Sequence, residues 1–176
     1  DGKLIANKIN KFRKNKLINT AKELSSIINE AKKNYKKNNK NLSTKTFQAI
    51  RIFVNKELSE LFLGLIAAAK LLSEGGVLII VSFHSLEDRI VKYFFKLYSD
   101  FNKNPSRYVP LKKDKFSLFS KILKKPLTPS EKEVSQNIRS RSAKLRYAIR
   151  NKNSFFYQKQ FKQEFEKYFQ LEEIRL

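Results

Sequence analysis

The segment that most restricts the fold is an apolar helix followed by a glycine pair and a short apolar run. The stretch LSELFLGLIAAAKLL, residues 58–72, is apolar on nearly all sides, which is typical of a buried helix. After Gly75-Gly76, residues 77–81 are β-branched or apolar without alternation. Such a run favours a strand covered on both faces, as in a parallel sheet between helices. This order predicts an α/β fold of the doubly wound type.

The pattern on either side of this segment predicts more helices and one more strand. Thr20 and Glu23 have the spacing of a capping box at the start of a helix. Thr128, followed by Pro129, predicts the cap of a short helix in PLTPSEKEV. Residues 34–42 and 99–120 are polar or irregular, and the first of these marks a predicted domain boundary. Helices are predicted at residues 3–14, 20–33, 44–73 with a junction near Asn55, and 154–170, and a half-exposed strand at 144–150.

The only histidine of the chain, His84, follows the predicted strand 77–81 in the sequence SFHSLED. Ser85 and Asp88 have capping-box spacing, so a helix is predicted to begin just after His84. In open α/β sheets, ligands bind beyond the carboxyl ends of the strands, which makes this turn a candidate site. The alternative is that Ser85 and Asp88 only cap the helix. A metal shared by His84 and Asp88 is not favoured, because no third ligand lies nearby in sequence.

The charge of the chain points to a polyanionic partner. Lys and Arg total 38 against 16 Asp and Glu, a formal net charge of +22. Such an excess favours nucleic acid as the partner. In NIRSRSAKLR, residues 137–146, four cations and two hydroxyls suit phosphate oxygens, although a solvated basic turn is the alternative. The four cations are Arg139, Arg141, Lys144 and Arg146.

Other classes of protein are disfavoured by composition. The chain has no cysteine, which excludes disulfides and thiolate metal sites and fits a reducing compartment. No run approaches the roughly 20 apolar residues that span a bilayer. We therefore predict a soluble, cytoplasmic protein without a membrane partner. Because the chain contains no methionine, even at position 1, we expect it to be a piece of a longer protein.

Four blocks together resemble the carboxyl-terminal part of the RsmH (MraW) family over about residues 40 to 150. In order they are TKTFQAIRIFVNKEL, GGVLIIVSFHSLEDRIVKYFF, PLTPSEKEV and NIRSRSAKLRYAIR. The family comprises S-adenosylmethionine-dependent methyltransferases that modify the N4 amine of a cytidine in 16S ribosomal RNA. The resemblance implies the carboxyl-terminal part of a Rossmann-like methyltransferase sheet with flanking helices. Residues 1–42 would end an inserted helical subdomain, and residues 43–176 would belong to the methyltransferase domain.

The chain departs from the family pattern in two ways. Asn41-Leu42, Glu74 and Ile138 stand where family members usually carry His-Pro, proline and proline. More important, the family's glycine-rich cofactor loop has no counterpart here, since the chain contains no Gly-x-Gly-x-x-Gly stretch. The residues that bind S-adenosylmethionine are therefore expected upstream of this chain, and the fragment alone is expected to be inactive.

The resemblance also implies roles for the candidate residues. The residues bordering the active cleft would be Ser82, His84, Ser85, Glu87 and Asp88. Of these, His84 and Asp88 would orient the target base or an adjacent phosphate, and no metal is expected. Arg139, Arg141, Lys144 and Arg146 would contact the RNA backbone. The expected partner is 16S ribosomal RNA or the small ribosomal subunit, with a possible homodimer. The alternative function is a non-catalytic, basic RNA-binding or ribosome-associated protein.

Overall fold

The computed structural model describes residues 1–32, 43–99 and 117–174. The chain divides into two compact units, Asp1–Asn55 and Lys56–Leu176. Within the described ranges, no helix combines the length and apolar character needed to cross a membrane. The predicted boundary at residues 34–42 lies outside the described residues, so the assignment of residues 1–42 to an inserted subdomain stays a prediction.

The described residues of the first unit form three helices, as predicted. They are α1 (Gly2–Arg13), α2 (Ala21–Ala31) and α3 (Thr44–Asn55). The capping box at the start of α2 is confirmed: Glu23 donates its amide to Thr20 Oγ1 over 3.1 Å, and Thr20 donates its amide to Glu23 Oε2 over 3.2 Å. Helices α1 and α2 pack together, with Ile5, Ile27 and Ile28 buried.

The second unit contains four more α-helices among its described residues. They are α4 (Glu57–Leu71), α5 (Ser85–Leu97), α6 (Glu131–Gln136) and α7 (Lys159–Glu173). The predicted junction near Asn55 is confirmed, because Lys56 has a left-handed backbone with φ of 51°. Thr128 was the wrong cap for α6: the helix starts two residues later than expected, and Ser130 Oγ accepts from the amide of Glu133. Helix α7 also begins five residues after the predicted start.

The start of α4 is capped from the far end of the unit. Lys56 provides no side-chain hydrogen bond to the helix. Instead, the buried carboxylate of Glu172 in α7 accepts from the amides of Leu58 and Ser59, over 3.2 and 2.9 Å, and from the Ser59 hydroxyl. The first turn of a helix has amides without partners inside the helix, and an anion there is favoured by the helix dipole. Glu172 therefore ties α7 to α4.

The described strands of this unit form a three-stranded sheet, which is its other layer. Its strands are β1 (Val77–Ser82), β2 (Phe119–Ile122) and β3 (Lys144–Arg150), in the order β1-β3-β2. Strands β1 and β3 were predicted, whereas β2 was not: it begins at the end of segment 99–120, which was expected to be irregular. Both pairings are antiparallel, with Val77 opposite Ile149 and Ser82 opposite Lys144. The α/β class is confirmed, but the parallel pairing expected for β1 does not occur among the described strands.

The two faces of the sheet differ in burial. Leu78 and Ser82 of β1 are buried on the face that packs against α5. On the other face, Val77, Ile79 and Val81 are 48%, 57% and 49% exposed. The prediction that β1 is covered on both faces is therefore wrong for the described part of the chain. The unalternating apolar sequence reflects one buried face and one apolar face open to solvent.

Strand β3 buries its two arginines. Arg146, Ala148 and Arg150 are buried, while Leu145, Tyr147 and Ile149 are only half-buried. The Arg150 guanidinium is accommodated because Nη1 donates to the carbonyls of Leu118 and Asn151, over 3.2 and 2.7 Å. A buried cation is tolerated only with such partners.

Aromatic side chains fill the core between α4, α5 and α7. Phe161 of α7 is fully buried and lies at the centre, with its ring centroid 4.6 Å from that of Phe62 and 5.1 Å from that of Phe94. Phe94 in turn contacts Tyr98 and Phe119, which extends the cluster to β2. This core fixes α5, and with α5 the turn that carries His84.

Candidate functional site

His84 is the N-terminal cap of α5. Its backbone is extended, with φ of −141° and ψ of 165°, and its Nδ1 accepts from the amide of Glu87 over 3.3 Å. Glu87 Oε2 accepts in return from the amides of Phe83 and His84, over 2.9 and 3.2 Å. The predicted start of the helix is confirmed, but the predicted capping pair of Ser85 and Asp88 is wrong by one residue. Ser85 already has helical backbone geometry, so the cap falls to the residue before it.

The other ring nitrogen of His84 lies beside two carboxylates. His84 Nε2 is 3.7 Å from Glu57 Oε2 and 3.5 Å from Glu87 Oε1. The His84 side chain is only 7% exposed, and Nε2 is buried without a hydrogen-bond partner. The three side chains could together hold a metal ion. Glu57 was not predicted as a site residue, because it lies 27 positions before His84 and only the packing of α4 beside α5 brings the two together.

Asp88 turns towards the sheet. Its Oδ1 accepts from Arg146 Nε over 2.7 Å, and its Oδ2 accepts from Arg146 Nη2 and Lys144 Nζ over 3.3 and 3.2 Å. Burial raises the pKa of Asp88, but the hydrogen bonds from Arg146 and Lys144 outweigh it and hold the pKa below its ordinary value. Two predicted sets, the cleft residues and the RNA-binding residues, are therefore joined through one buried ion pair between α5 and β3.

The two serines of the predicted site are placed differently. Ser82, at the end of β1, is buried and its hydroxyl donates to the carbonyl of Lys144 over 3.4 Å. Ser85 is exposed at the first position of α5. An open apolar groove lies beside the end of β1, with Val81, Leu127 and Pro129 in its lining. Ser85 alone of these two serines presents its side chain to solvent.

The basic motif forms a capped turn before β3. Residues Ile138–Ser142 are a 3₁₀ helix, in which Asn137 Oδ1 accepts from the amide of Arg139 over 3.1 Å. Arg139 and Arg141 are exposed, and the side chain of Lys144 is 39% exposed. Arg146 is buried and engaged with Asp88. Of the four predicted RNA-binding cations, the two arginines of the 3₁₀ helix are thus the most accessible.

The glycines of the chain do not form a cofactor loop. The sequence has four glycines; Gly2 and Gly64 lie in helices. Gly75, with φ of 77°, and Gly76 form the turn before β1, where they exchange backbone hydrogen bonds with Arg150 over 3.0 and 2.9 Å. This turn is used to pair strands. The four glycines therefore supply no loop of the Gly-x-Gly-x-x-Gly kind that cradles such a cofactor.

A family model and individual relatives both place this chain in the same family. Residues 2–151 match the model of the MraW methylase family. The chain is 48% identical to the ribosomal RNA small subunit methyltransferase H of Ehrlichia canis (strain Jake), over 83% of the chain and 46% of that protein. For the protein of the same name from Marinomonas sp. (strain MWYL1), the identity is 46%, over 81% of the chain and 45% of that protein.

A third relative, ribosomal RNA small subunit methyltransferase H of Sinorhizobium medicae (strain WSM419), is 43% identical over 83% of the chain and 42% of its own length. The chain thus spans less than half the length of the curated relatives it matches. The matched segment includes β1, the His84 turn, the 3₁₀ helix and β3. The chain therefore belongs to the MraW methylase family.

Proposed function

We propose that this chain is the carboxyl-terminal part of an S-adenosylmethionine-dependent methyltransferase that modifies the N4 amine of a cytidine in 16S ribosomal RNA. The match of residues 2–151 to the MraW methylase family carries this proposal. The names of the relatives support ribosomal RNA of the small subunit as the substrate. A family match of this extent does not favour the alternative of a non-catalytic RNA-binding protein.

The sheet supports a position at one end of a larger, Rossmann-like methyltransferase sheet. Among the described strands, β1 pairs with β3 only, so its other edge is available for a further strand. The exposed apolar side chains of Val77, Ile79 and Val81 suit a face covered by additional helices. We propose that the part of the protein that corresponds to the unmatched half of the relatives supplies the further strand and the covering helices. The same part would hold the site for the methyl donor.

The chemistry of the substrate explains the polar residues at the end of β1. The lone pair of the cytosine N4 amine is delocalised into the ring, so the enzyme must expose the base and orient the amine with hydrogen-bond acceptors. We propose that His84 and Glu87 border the part of the cleft that receives the cytosine base, with Ser82 and the exposed Ser85 beside them. Asp88 serves this site by holding α5 against β3 through Arg146.

Arg139 and Arg141 are the proposed contacts to RNA phosphates. Their exposure on a capped 3₁₀ helix leaves both guanidiniums accessible. Lys144, at the start of β3, can add a further contact to a phosphate. Arg146, in contrast, is engaged in the buried ion pair with Asp88, which gives it a structural role. The prediction that Arg146 itself contacts RNA remains to be tested. A cytoplasmic location and a homodimer also stay predictions.

The Arg139→Gln, Arg141→Gln double variant is expected to flatten the salt dependence of RNA binding. Each phosphate contact contributes about 0.7 to 0.9 to the slope of log affinity against log salt, so the slope should fall by about 1.4 to 1.8. Fluorescence anisotropy of a labelled 16S RNA fragment at several salt concentrations measures it. The matched control is Lys92→Gln with Lys96→Gln, which removes the same charge from exposed positions of α5. Equal slopes for the two double variants would contradict the proposed contacts.

S-adenosylmethionine is not expected to bind to this chain alone. The turn at Gly75-Gly76 pairs with Arg150, and the chain contains no glycine-rich loop for the donor. Isothermal titration of S-adenosylmethionine into the 176-residue chain should therefore give no saturable heat. Circular dichroism of the same sample shows whether the helices are formed. Saturable binding to folded chain would mean that the donor site lies here, contrary to the proposed division of the protein.

A further inference from the structure

Glu57, His84 and Glu87 form a cluster at the adjoining amino-terminal ends of α4 and α5, which we term the Glu-His-Glu cluster. One ligand atom from each side chain lies within 4.8 Å of the other two. His84 Nε2 is 3.7 Å from Glu57 Oε2 and 3.5 Å from Glu87 Oε1. These separations exceed the 2.7 to 3.2 Å typical of N–H···O hydrogen bonds.

The imidazole provides an independent indication that this cluster can bind a ligand. Only 7% of the His84 side chain is exposed, so 93% of it is buried. Its Nε2 has no hydrogen-bond partner. Buried polar atoms are nearly always satisfied, so such an atom in a native protein requires an explanation. This nitrogen lies beside the two carboxylates, where a divalent cation could bind all three groups once the ring proton has moved to Nδ1.

The distances agree with a small tetrahedral cation. Zinc binds nitrogen and carboxylate oxygen at about 2.0 to 2.2 Å, and tetrahedral geometry then separates neighbouring ligand atoms by roughly 3.3 to 3.6 Å. The 3.5 Å distance from Nε2 to Glu87 Oε1 lies within this range, and the 3.7 Å distance to Glu57 Oε2 lies just above it. One imidazole and two carboxylates also form a donor set that suits Zn²⁺ or Mn²⁺ better than Mg²⁺, which prefers oxygen ligands alone.

We propose that the Glu-His-Glu cluster binds one divalent transition-metal cation, with Zn²⁺ as the best fit, through His84 Nε2 and one oxygen each of Glu57 and Glu87. Glu87 can contribute Oε1 while its Oε2 keeps the amides of Phe83 and His84. Solvent completes the coordination. This site does not rest on the proposed methyl transfer, and it links the first residue of α4 to the cap of α5.

Metal binding has a structural consequence at the cap. Nδ1 accepts from the Glu87 amide, so the neutral ring carries its proton on Nε2. A metal at Nε2 moves that proton to Nδ1 and removes the acceptor. The lost hydrogen bond is long, at 3.3 Å, and the capping carboxylate of Glu87 remains. The Glu87 amide resonance should therefore shift when the cation binds, which gives a readout independent of enzyme activity.

The test is a titration of Zn²⁺ into the chelator-treated 176-residue chain, followed by calorimetry. Visible absorption of Co²⁺ in place of Zn²⁺ reports tetrahedral coordination. We expect one saturable site in the wild type. Because each variant removes a direct ligand, His84→Asn and Glu57→Gln should weaken it more than about 100-fold, beyond the 10- to 100-fold typical of residues behind the ligands. Asparagine keeps a good helix cap.

Glu60→Gln is the matched control, since it removes one carboxylate from an exposed position in the same first turn of α4. It should bind Zn²⁺ as the wild type does, and circular dichroism shows that each variant is folded. Should His84→Asn not fold, Glu57→Gln and the Glu87 amide shift still decide the question. Absence of Zn²⁺ binding in the wild type, or equal affinities of Glu57→Gln and Glu60→Gln, would overturn the proposal.

Discussion

Replacing Asp88 by alanine is expected to lower the free energy of unfolding of the second unit by about 3–5 kcal/mol. The carboxylate is buried and holds Arg146 and Lys144 through three hydrogen bonds. Removing it leaves the Arg146 guanidinium buried without its counter-charge. Urea denaturation followed by circular dichroism measures the change. The exposed Glu60→Ala variant should stay within about 0.5 kcal/mol of the wild type.

The effect of Asp88→Ala should also depend on pH. The pKa of Asp88 is lower in the folded protein than in the unfolded chain, so the stabilisation is complete above the unfolded pKa of about 3.9. It is lost as the pH falls through the folded pKa. The difference between wild type and variant should therefore shrink in acid. A difference that stays constant from neutral pH to well below pH 3.9, about the unfolded value, would contradict the assigned pairing.

The Asp88→Leu, Arg146→Met double variant distinguishes the net contribution of the ion pair from the cost of leaving one buried charge unpaired. Replacing both partners of a buried ion pair by apolar residues is often neutral or stabilising. The double variant should therefore recover most of the stability lost in Asp88→Ala. If it were as unstable as the single variant, the loss would come from packing around α5 and not from an unpaired Arg146.

Replacing Phe161 by alanine is expected to cost about 3–5 kcal/mol, the second large effect. Its ring is fully buried and contacts Phe62 of α4 and Phe94 of α5, so alanine opens a cavity where three helices meet. Urea denaturation again provides the measurement. Leu171→Ala, at a position of the same helix that is 54% exposed, is the control and should change stability little. Similar losses for both variants would contradict the central position of Phe161.

Local signals predicted elements well where their determinants are close in sequence. The capping box of Thr20 and Glu23 defined the start of α2 because both partners lie within one turn. The apolar run after Gly75-Gly76 predicted β1, and the following polar turn predicted the start of α5. These features depend on backbone propensity and on groups a few residues apart, which the sequence displays directly.

Predictions failed where a distant partner decides the outcome. Alternation in β3 predicted a strand, but alternation does not say which side faces the interior. Arg146 is buried because Asp88, 58 residues earlier, neutralises it. Glu57 lies beside His84 only because α4 packs against α5, so sequence spacing did not indicate that these two side chains are neighbours. The open face of β1 was missed because an apolar run looks the same whether or not a covering layer is present.

The cap that Glu172 provides for α4 has a consequence for biosynthesis. Leu58 and the Glu172 carboxylate that caps it are 114 residues apart. Phe62 of α4 likewise packs against a residue that is synthesised much later, Phe161. At roughly 5–20 residues per second, the ribosome needs about 6 to 23 seconds to make the intervening chain. During that time α4 has an uncapped first turn and an uncovered apolar side. The nascent second unit therefore offers a hydrophobic segment that chaperones can bind, and it completes its folding only after α7 has emerged.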